Sequence, residues 1–395
     1  MSTVFVWLLR ALIALVLLGW VTTLFRVLRR RKTPKWGLGP EDAPADPGVL
    51  ISIVVPARNE AANLGPCLDT VLAQDHPNIE VVVQDDGSND GTGDILDTYA
   101  ARDPRIRALH GGEALPEGWF GKPWALQRAQ QHARGDWLVF IDADVRLAPE
   151  AVSRAVAYGE REGLGMVTGL GTLVTESFWE RVLQPAVAGL ILMGNDLDEV
   201  NRDDRPDRNM ASGQFLAFKR ASYDKLGQHG AVRDDILDDV GLARACRAAG
   251  VRYHCLFMRR LYRVRMYTNL KEIWDGWSKN LFAGLHYSWG VTLSVVLFLF
   301  VYVVLGPLLA LLGGLGVVSP EWLYWGLAQL LTMQVVRCIM DLIWGNNPVY
   351  GLSHVPANLM LMALLINSGR RSRGSGVAWR GRVYKPAPRG GSTEG

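Results

Sequence analysis

The sequence predicts an α/β domain with a mostly parallel sheet and helices on both faces, joined to transmembrane helices at both ends of the chain. Three observations support this fold class. Between residues 49 and 270, short apolar runs of strand length alternate with segments of helical periodicity, an order typical of parallel sheets. Residues 3–25 form an almost uncharged apolar run of membrane-spanning length. Apolar segments of similar length return after residue 290.

The first apolar run is interrupted only by Arg10, and basic residues follow it between positions 26 and 35. No small-residue cleavage site follows the run, so a retained anchor is expected rather than a signal peptide. Basic residues that flank a span stay in the cytoplasm, which places the chain from residue 26 onward on that side. Residues 36–48 are rich in proline and glycine and predict a linker.

Two further spans are predicted at residues 291–318 and 322–344. The second carries Arg337 and Asp341, which lie four residues apart and can therefore pair on one helix face. A further apolar segment, 349–366, is interrupted by polar residues and a proline and precedes a strongly basic tail. Because a basic tail is expected in the cytoplasm, the number of crossings after the middle of the chain must be even. We therefore predict that this segment is re-entrant or interfacial.

The predicted organisation has six parts. They are an anchor at residues 1–25, a basic segment and linker at 26–48, a cytoplasmic domain at 49–268, an interfacial amphipathic helix at 269–289, a membrane region at 290–368 and a basic cytoplasmic tail at 369–395. The amphipathic helix is predicted because apolar residues, tryptophans among them, recur at helical spacing. An ordinary core-packed helix has the same spacing and remains the alternative.

Charge and cysteine content narrow the class of protein. The formal net charge is +3 and the basic residues are concentrated beside the apolar segments, which favours anionic lipid headgroups over nucleic acid as partners. The four cysteines show no CxxC spacing. A reduced compartment is therefore expected, and a cysteine metal site is not.

The middle of the chain predicts three strands, each of which ends in a polar turn. These turns follow apolar runs and lie at residues 56–60, 85–88 and 142–144. Segments of helical pattern lie between the strands. A parallel sheet gathers the carboxyl ends of its strands along one edge, so we expect the three turns to meet there.

Asp142 and Asp144 lie two residues apart after the apolar run Trp137–Ile141. In an extended segment, residues at this spacing point to the same side. Two carboxylates placed in this way repel unless a positive group lies beside them, and their hard oxygens suit Mg²⁺ or Mn²⁺. Taken alone, a pair of solvated loop carboxylates is the simpler interpretation.

Five segments in order resemble one family. "VVPARNEAANL", "VVVQDDGSNDGT", "GKPWALQRA", "FIDAD" and "ILDDVGLARACRAAG" have the order and spacing of family 2 glycosyltransferases. Those enzymes are inverting transferases with a nucleotide-diphospho-sugar-binding, GT-A-like α/β fold. "GWFGKPWAL", "SGQFLAFKR" and "GWSKNLFAG" resemble the membrane-anchored, lipid-directed branch, which includes hopene-associated glycosyltransferases and the glucosyltransferases of carotenoid acids.

The resemblance implies roles for residues in the first two turns. Pro56, Arg58 and Glu60 would lie in the loop that holds the nucleotide, and family members often have Tyr where Arg58 stands. Asp86 would accept a hydrogen bond from the uracil edge, and Asp85 would orient that turn.

The resemblance also implies how the diphosphate is bound. Lys122 would place a positive charge near it; a solvated lysine in the first turn of a helix is the alternative. Asp142 would contact the ribose or the metal. Asp144 would hold a divalent cation, Mg²⁺ or Mn²⁺, against the diphosphate, where it would neutralise the charge that grows on the leaving UDP.

An inverting transfer needs one base that takes the proton of the acceptor hydroxyl. The family has an acidic pair whose second member is this base, which implies Asp239. Asp238 would then belong to site closure or to the start of a helix, where Asp is a good cap. Trp277 and Lys279 stand where processive polysaccharide synthases carry a Gln-x-x-Arg-Trp motif and would close the site instead.

Two further sequence features, residues 178–195 and His229, each have two possible interpretations. Residues 178–195 are apolar enough to line a lipid groove or to be core. His229 resembles a loop residue near the acceptor, but a lone histidine is more often structural.

The resemblance therefore implies a metal-dependent hexosyltransferase in the cytoplasmic membrane. It would move one sugar, with glucose expected, from a UDP-sugar to a lipid such as a carotenoid or a hopanoid. A processive polysaccharide synthase is one alternative, and it would carry more C-terminal spans and the Arg-Trp motif. A non-catalytic sugar-nucleotide- or lipid-binding scaffold is another, and it would tolerate loss of Asp142, Asp144 and Asp239, all of which are present.

Overall fold

A computed structural model describes residues 3–29, 35–112, 114–373, 377–379 and 382–384. Most of the predicted basic tail, and the residues at 30–34 of the basic segment, lie outside the described residues. The chain divides into two compact units. The first, the helical unit, comprises Met1–Pro34, Thr175–Ile191 and Tyr267–Gly376. The second, the sheet unit, comprises Lys35–Val174, Leu192–Met266 and Val377–Gly395.

The strands follow one another in the described chain as short segments. They are β1 (Ile51–Ala57), β2 (Ile79–Asp85), β3 (Ile106–His110), β4 (Trp137–Ile141), β5 (Val145–Leu147), β6 (Met166–Leu170), β7 (Thr172–Leu173), β8 (Phe215–Lys219), β9 (Tyr253–Phe257), β10 (Tyr262–Val264), β11 (Val377–Trp379) and β12 (Arg382–Tyr384). The main sheet has the order β3-β2-β1-β4-β8-β6-β9, and β5, β10 and β7 form a smaller sheet. Within the main sheet, only β8 runs antiparallel to its neighbours. The predicted mostly parallel fold is therefore confirmed.

The helices separate or follow these strands. They are α1 (Thr3–Arg29), α2 (Leu64–Leu72), α3 (Thr92–Arg102), α4 (Gly121–Gln130), α5 (Ala151–Glu162), α6 (Phe178–Gly194), α7 (Leu197–Val200), α8 (Arg220–Lys225), α9 (Asp238–Ala248), α10 (Leu270–Gly284), α11 (Trp289–Leu299), α12 (Leu305–Gly314), α13 (Glu321–Trp344) and α14 (His354–Arg373). Short 3₁₀ turns lie at Gln228–Val232 and Pro348–Ser353, and a π-helical turn, Phe300–Val304, joins α11 to α12.

The central strands are mostly apolar because both faces of the sheet are covered. Ile53, Val54 and Val55 are successive residues of β1, and all three are fully buried. This pattern is typical of strands in parallel sheets. Trp137 at the start of β4 is also fully buried and packs where Gly159 of α5 has no side chain, since an added Cβ would lie 2.4 Å from the indole.

The predicted linker at 36–48 is attached to the edge of the main sheet in the sheet unit. The N–H of Leu38 donates to the carbonyl of Phe257 at 3.0 Å, and the N–H of Phe257 donates to the carbonyl of Trp36 at 2.7 Å. The indole N–H of Trp36 also donates to Asp198 Oδ1 at 2.8 Å. Because β9 is an edge strand, these bonds satisfy backbone groups that would otherwise be open to pairing with another chain.

Among the described residues of the helical unit, four helical stretches are long and apolar enough to cross a membrane. By length and composition they are Thr3–Arg26, Trp289–Gly314, Glu321–Trp344 and Pro348–Ser372. In α13, Arg337 Nε donates to Asp341 Oδ2 at 2.8 Å and both side chains are buried. The pairing expected from their spacing is therefore confirmed, and it neutralises two charges in an apolar segment.

The last apolar segment is helical throughout, because a 3₁₀ turn at Pro348–Ser353 leads directly into α14. Pro356 lies in the first turn of α14, where the missing N–H of proline would have no helical partner. The polar residues and the proline therefore do not interrupt the helix. Its re-entrant or interfacial position stays a prediction.

The apolar face of α10 contacts other helices of the helical unit. Ile273 and Leu281 are buried in a cluster with Leu183 of α6 and Leu361 of α14. The amphipathic pattern is thus explained by helix packing, and a membrane-interface position for α10 stays a prediction. The first half of α6 supplies core to the same cluster.

Candidate active site at the carboxyl edge of the sheet

The three predicted polar turns lie at one edge of the main sheet. Ala57, the last residue of β1, is opposite Asp85, the last residue of β2, and Asp142 directly follows β4. A small pocket of about 180 Å³ opens at this edge. Its lining residues are Pro56, Lys122, Leu126, Phe140, Ile141, Asp142, Gly213, Leu216 and Asp238.

The loop after β1 is fixed to the turn after β2 by hydrogen bonds. The N–H of Asn59 donates to Ser88 Oγ at 2.9 Å, and the N–H of Asn89 donates to Asn59 Oδ1 at 3.0 Å. The N–H of Glu60 donates to Thr92 Oγ1 at 2.8 Å. Asn59 has φ of 54°, a left-handed conformation that asparagine tolerates better than most residues. No role was predicted for Asn59 from the sequence. The signal for one was an asparagine in the turn that follows a strand, directly before Glu60.

Arg58 and Asp86 lie against each other, and Asp85 holds the turn. Arg58 Nη1 donates to the carbonyl of Asp86 and lies 3.6 Å from its carboxylate. Both side chains are largely buried. Asp85 Oδ1 accepts from the N–H of Ser88 at 3.0 Å and from its hydroxyl at 2.5 Å. The side chain assigned to the uracil edge therefore has a guanidinium as its neighbour.

Pro56 and Glu60 lie in different surroundings. Pro56 lines the pocket. Glu60 Oε2 accepts from the side-chain amide of Asn63 at 2.8 Å, just before α2 begins. Of these two loop residues, only Pro56 is among the pocket-lining residues.

The Asp142–Asp144 segment is a turn, so the extended geometry expected for it is wrong. The N–H of Val145 donates to the carbonyl of Asp142 at 3.1 Å, which is the i to i+3 bond of a β-turn. The cause is topological: β4 belongs to the main sheet and β5 to the smaller one, so the chain must change direction between Ile141 and Val145. Both aspartates are half-buried.

Lys122 forms an ion pair inside the pocket. It lies in the first turn of α4, and its Nζ is 2.7 Å from Asp142 Oδ1 and 4.0 Å from Asp238 Oδ2. The interpretation of Lys122 as a solvated helix-start lysine is therefore wrong, because its ammonium is paired and only 20% of its side chain is exposed.

Asp238 and Asp239 are the first two residues of α9. Asp239 Oδ2 accepts from the N–H of Gly213 at 2.8 Å, and its Oδ1 accepts from the N–H of Val240 at 2.8 Å. Asp238 is not a side-chain cap: the N-cap position is Leu237, which makes no capping bond, and Asp238 Oδ2 accepts no hydrogen bond from the described residues. Both carboxylates still lie where the helix dipole favours negative charge.

Gly213 brings the two halves of the site together, and the sequence did not assign it a role. A Cβ at this position would lie 3.2 Å from Lys122 Nζ and 3.4 Å from Asp239 Oδ2. Glycine therefore lets the backbone N–H reach the carboxylate without crowding the ammonium. Gly213 is the glycine of "SGQFLAFKR", a segment already quoted for the family resemblance. The partner of its N–H depends on tertiary structure and could not be predicted from that segment.

The charges in the site change two pKa values. Burial raises the pKa of Asp239 and the neighbouring Asp238 raises it further, whereas Lys122 and the two backbone donors lower it, and the result is about 6. Burial alone would lower the pKa of Lys122, but Asp142, Asp238 and Asp239 outweigh it and hold that pKa above its usual value. Lys122 is therefore a cation at neutral pH, and Asp239 is a carboxylate of increased basicity.

His229 is buried next to the site and is uncharged. Its Nδ1 contacts the hydroxyl of Tyr223, and its ring packs edge-on against Phe140 with centroids 4.9 Å apart. Burial and the charge of Lys122 lower its pKa to about 3. These contacts favour the structural interpretation of His229, which supports the wall formed by Phe140.

The donor atoms in the site suit a hard divalent cation. Asp142 and Asp144 offer carboxylate oxygens, which Mg²⁺ and Mn²⁺ prefer. Within the described ranges, no three His, Cys, Asp or Glu side chains form a group that could hold a metal. A cation bound here would therefore need ligands from a second molecule, such as phosphate oxygens, which is the usual situation for Mg²⁺ at nucleotide sites.

Trp277 and Lys279 lie in α10 of the helical unit. The indole N–H of Trp277 donates to Gln184 Oε1 of α6 at 2.9 Å, so within its own unit it joins two helices. The role of these two residues in closing the site stays a prediction.

Comparison with known proteins identifies the same part of the chain. Residues 52–227 match the family model described as glycosyl transferase family 2. A glycosyltransferase named GlyG from Streptococcus pneumoniae is 36% identical over 95 residues, which are 24% of this chain and 30% of the relative. The 4,4'-diaponeurosporenoate glycosyltransferase of Staphylococcus aureus is 25% identical over 238 residues, which are 59% of this chain and 61% of the relative.

Among solved structures, a mannosyltransferase from Pyrobaculum calidifontis, determined with GDP-Man and Mn²⁺, is 19% identical with a TM-score of 0.49. That match covers 92% of this chain and 98% of the other. The chain spans less than two thirds of the length of both curated relatives. The family model, the resemblance of the five sequence segments and the observed sheet agree, and residues 52–227 of this chain form a glycosyl transferase family 2 domain.

Proposed function

We propose that this protein is a membrane-bound inverting glycosyltransferase. It moves a single sugar, glucose, from UDP-glucose to a hydroxyl or carboxyl group of a lipid such as a carotenoid or a hopanoid. The observation that carries the proposal is the arrangement at the sheet edge. There, Asp239 is held by the N–H groups of Gly213 and Val240, with Lys122 between Asp142 and Asp238.

Asp239 has the properties that a general base needs. Each of its oxygens accepts one backbone hydrogen bond, and a carboxylate offers about four acceptor positions, so a further hydrogen bond from an acceptor hydroxyl is possible. The raised pKa brings its basicity towards neutral pH, where a base is most effective. In the proposed step Asp239 takes the hydroxyl proton while that oxygen bonds to the anomeric carbon. The bond from that carbon to the diphosphate oxygen breaks, and UDP leaves.

The opposite side of the site has the charge that a diphosphate leaving group needs. Lys122 donates N–H bonds that phosphate oxygens accept readily. Asp142 and Asp144 would hold a divalent cation, which would supply positive charge against the diphosphate. The uracil ring of UDP would lie against a wall formed by Arg58, Asp85 and Asp86.

A lipid acceptor is supported by two observations. One relative is named for its action on 4,4'-diaponeurosporenoate, a carotenoid acid. The described part of the helical unit contains four helical stretches that are long and apolar enough to cross a membrane. A transferase anchored in this way meets acceptors that are dissolved in the bilayer.

The proposed function is tested by lipid analysis. Lipid extracts from cells with the intact gene, without it, and with the Asp239→Asn gene are compared by mass spectrometry. We expect a lipid heavier by one hexose only with the intact gene. Identical lipids in all three, or a product with a long series of added sugars, would contradict single-sugar transfer to a lipid.

The pH dependence of kcat/KM is expected to show an acid limb near pH 6. Asp239 must be ionised to accept a proton, so activity falls as pH falls through its pKa of about 6. The charged or titratable groups facing it are Asp238, Lys122 and the Cys255 thiol. Because Asp238 raises this pKa, Asp238→Asn should move the limb to lower pH. The kcat/KM profile reports the pKa values of the free enzyme. If the acid limb had the same midpoint in Asp238→Asn as in the wild type, a group other than Asp239 would be responsible for it.

We further propose that the catalytic domain and the tail face the cytoplasm and that α14 does not cross the membrane. Two polar contacts of α14 with α10 support this: Arg371 Nη1 lies 2.7 Å from Asp275 Oδ1, and Ser368 Oγ donates to the carbonyl of Ser278 at 2.6 Å. Such a helix pair suits the membrane interface better than the bilayer centre.

The topology predicts the position of two reporters. One is fused after Gly395, and one is inserted between Ala43 and Pro44, which are exposed and lie away from the residues bonded to β9. Both should report the cytoplasm. A tail reporter found on the other side would mean that α14 spans the bilayer.

A further inference from the structure

Lys122 occupies the charge position that a divalent cation would take at Asp142. Its Nζ is 2.7 Å from Asp142 Oδ1, which is the distance of a charge-assisted hydrogen bond. Asp238 Oδ2 lies 4.0 Å from the same Nζ and accepts no hydrogen bond from the described residues. One ammonium therefore compensates two carboxylates from two different elements, the turn after β4 and the start of α9.

The pocket around Lys122 is lined by apolar side chains and by the carboxylates of Asp142 and Asp238. Phe140, Ile141 and Leu216 are buried core residues of strands. Lys122 is the lining residue with a long flexible stem and a charged end.

We propose that Lys122 is a resident counter-ion that keeps the divalent cation from Asp142 until the nucleotide diphosphate arrives. This inference rests on the proposed function. A divalent cation and an ammonium repel each other strongly at contact distance, so the two compete for Asp142. The diphosphate gives Lys122 a new partner, and Asp142 is then released to the cation. Metal and UDP consequently bind together, and each increases the affinity for the other by the same factor.

The number of protein ligands supports this order. No group of three metal-ligating side chains exists among the residues that the structure describes, so the protein alone offers the cation few ligands. With Lys122 on Asp142, it offers fewer still. The phosphate oxygens would supply the missing ligands at the moment when Lys122 leaves.

The test is binding of Mn²⁺ to the full-length protein in lipid nanodiscs, followed by the electron paramagnetic resonance signal of free Mn²⁺. In the wild type, saturating UDP should increase the affinity for Mn²⁺ by about tenfold or more, within the usual range of coupling between sites. Lys122→Met removes the charge, so Mn²⁺ without UDP should bind about tenfold more tightly than in the wild type. The increase caused by UDP should shrink correspondingly. Lys122→Arg keeps the charge and should retain weak binding of Mn²⁺ alone.

Lys219→Met is the matched control. It removes the same charge from the same unit, but Lys219 is exposed and pairs with Glu160 at 3.1 Å; it should bind Mn²⁺ as the wild type does. If Lys122→Met does not fold, Lys122→Gln replaces it. Equal Mn²⁺ affinity without UDP in the wild type and in the neutral variant would overturn the inference and leave the proposed transferase intact. Absence of Mn²⁺ binding in every protein, even with saturating UDP, would overturn the metal requirement of the proposed function as well.

Discussion

Asp239→Asn is expected to lower kcat by about a hundredfold to ten-thousandfold, the usual contribution of a general base. The variant keeps the size of the side chain but has no basic oxygen pair. The affinity for UDP-glucose should change little, because the proposed base contacts the acceptor and not the nucleotide. Loss of kcat with donor binding intact indicates an interaction needed in the transition state. The measurements are calorimetric titration with UDP-glucose and the rate of lipid glycosylation.

The structure adds a stability effect to this prediction. Asp239 accepts from two backbone N–H groups, and the amide of Asn has only one acceptor oxygen. One N–H, from Gly213 or Val240, therefore loses its partner, at a cost of about 1–3 kcal/mol in the free energy of unfolding. Thermal unfolding must show that the variant is still folded at the assay temperature. Asp238→Asn is the matched control. If Asp239→Asn transferred sugar at the wild-type rate and Asp238→Asn were inactive, the general base would be Asp238 and not Asp239.

Asp144→Asn is expected to lower transfer by more than about a hundredfold. Changes to residues that only support metal ligands already cost about 10–100-fold, so loss of a ligand should cost more. The proposed mechanism also requires that a chelator abolish UDP release and that Mn²⁺ or Mg²⁺ restore it. The rate of UDP release with and without chelator measures both effects.

The matched control for Asp144 is Asp207→Asn, because Asp207 is an exposed aspartate that pairs with Arg205. This variant should be active and should respond to chelator as the wild type does. Full activity of Asp144→Asn, or full wild-type activity in excess chelator, would remove the metal from the mechanism.

Elements defined by local pattern were predictable from the sequence. The strand at Trp137–Ile141 has the bounds that its apolar run indicates, because five consecutive buried residues leave no alternative face. The helix predicted at 269–289 is observed as the shorter Leu270–Gly284, and its helical period is visible in the apolar spacing. The parallel topology alone predicted that the three polar turns meet at one edge of the sheet.

Features that depend on tertiary contacts were not predictable. The bond from Gly213 to Asp239 joins residues 26 positions apart, and no local pattern specifies it. The turn at Asp142 arises because the next strand joins a different sheet. The sequence indicated one continuous domain at 49–268, but Thr175–Ile191 packs within the helical unit, a partition that apolar composition alone does not reveal.

The ion pair between Lys122 and Asp142 is a feature of the site that could not be predicted from the sequence. The resemblance placed Lys122 near a diphosphate and Asp142 near a metal, as separate roles. The distance of 2.7 Å between Lys122 Nζ and Asp142 Oδ1 shows that one residue neutralises the other, and this pairing depends on the tertiary structure.

The most direct test of the account is sugar transfer by purified protein in lipid nanodiscs that contain a lipid extract of the host cell. Radiolabelled UDP-glucose is added, and label is followed into the organic phase together with released UDP. We expect wild-type protein with Mn²⁺ to transfer label to lipid with one UDP released for each sugar, and Asp239→Asn to transfer almost none. Label that stays in the aqueous phase with wild-type protein, or equal transfer by wild type and Asp239→Asn, would contradict the account.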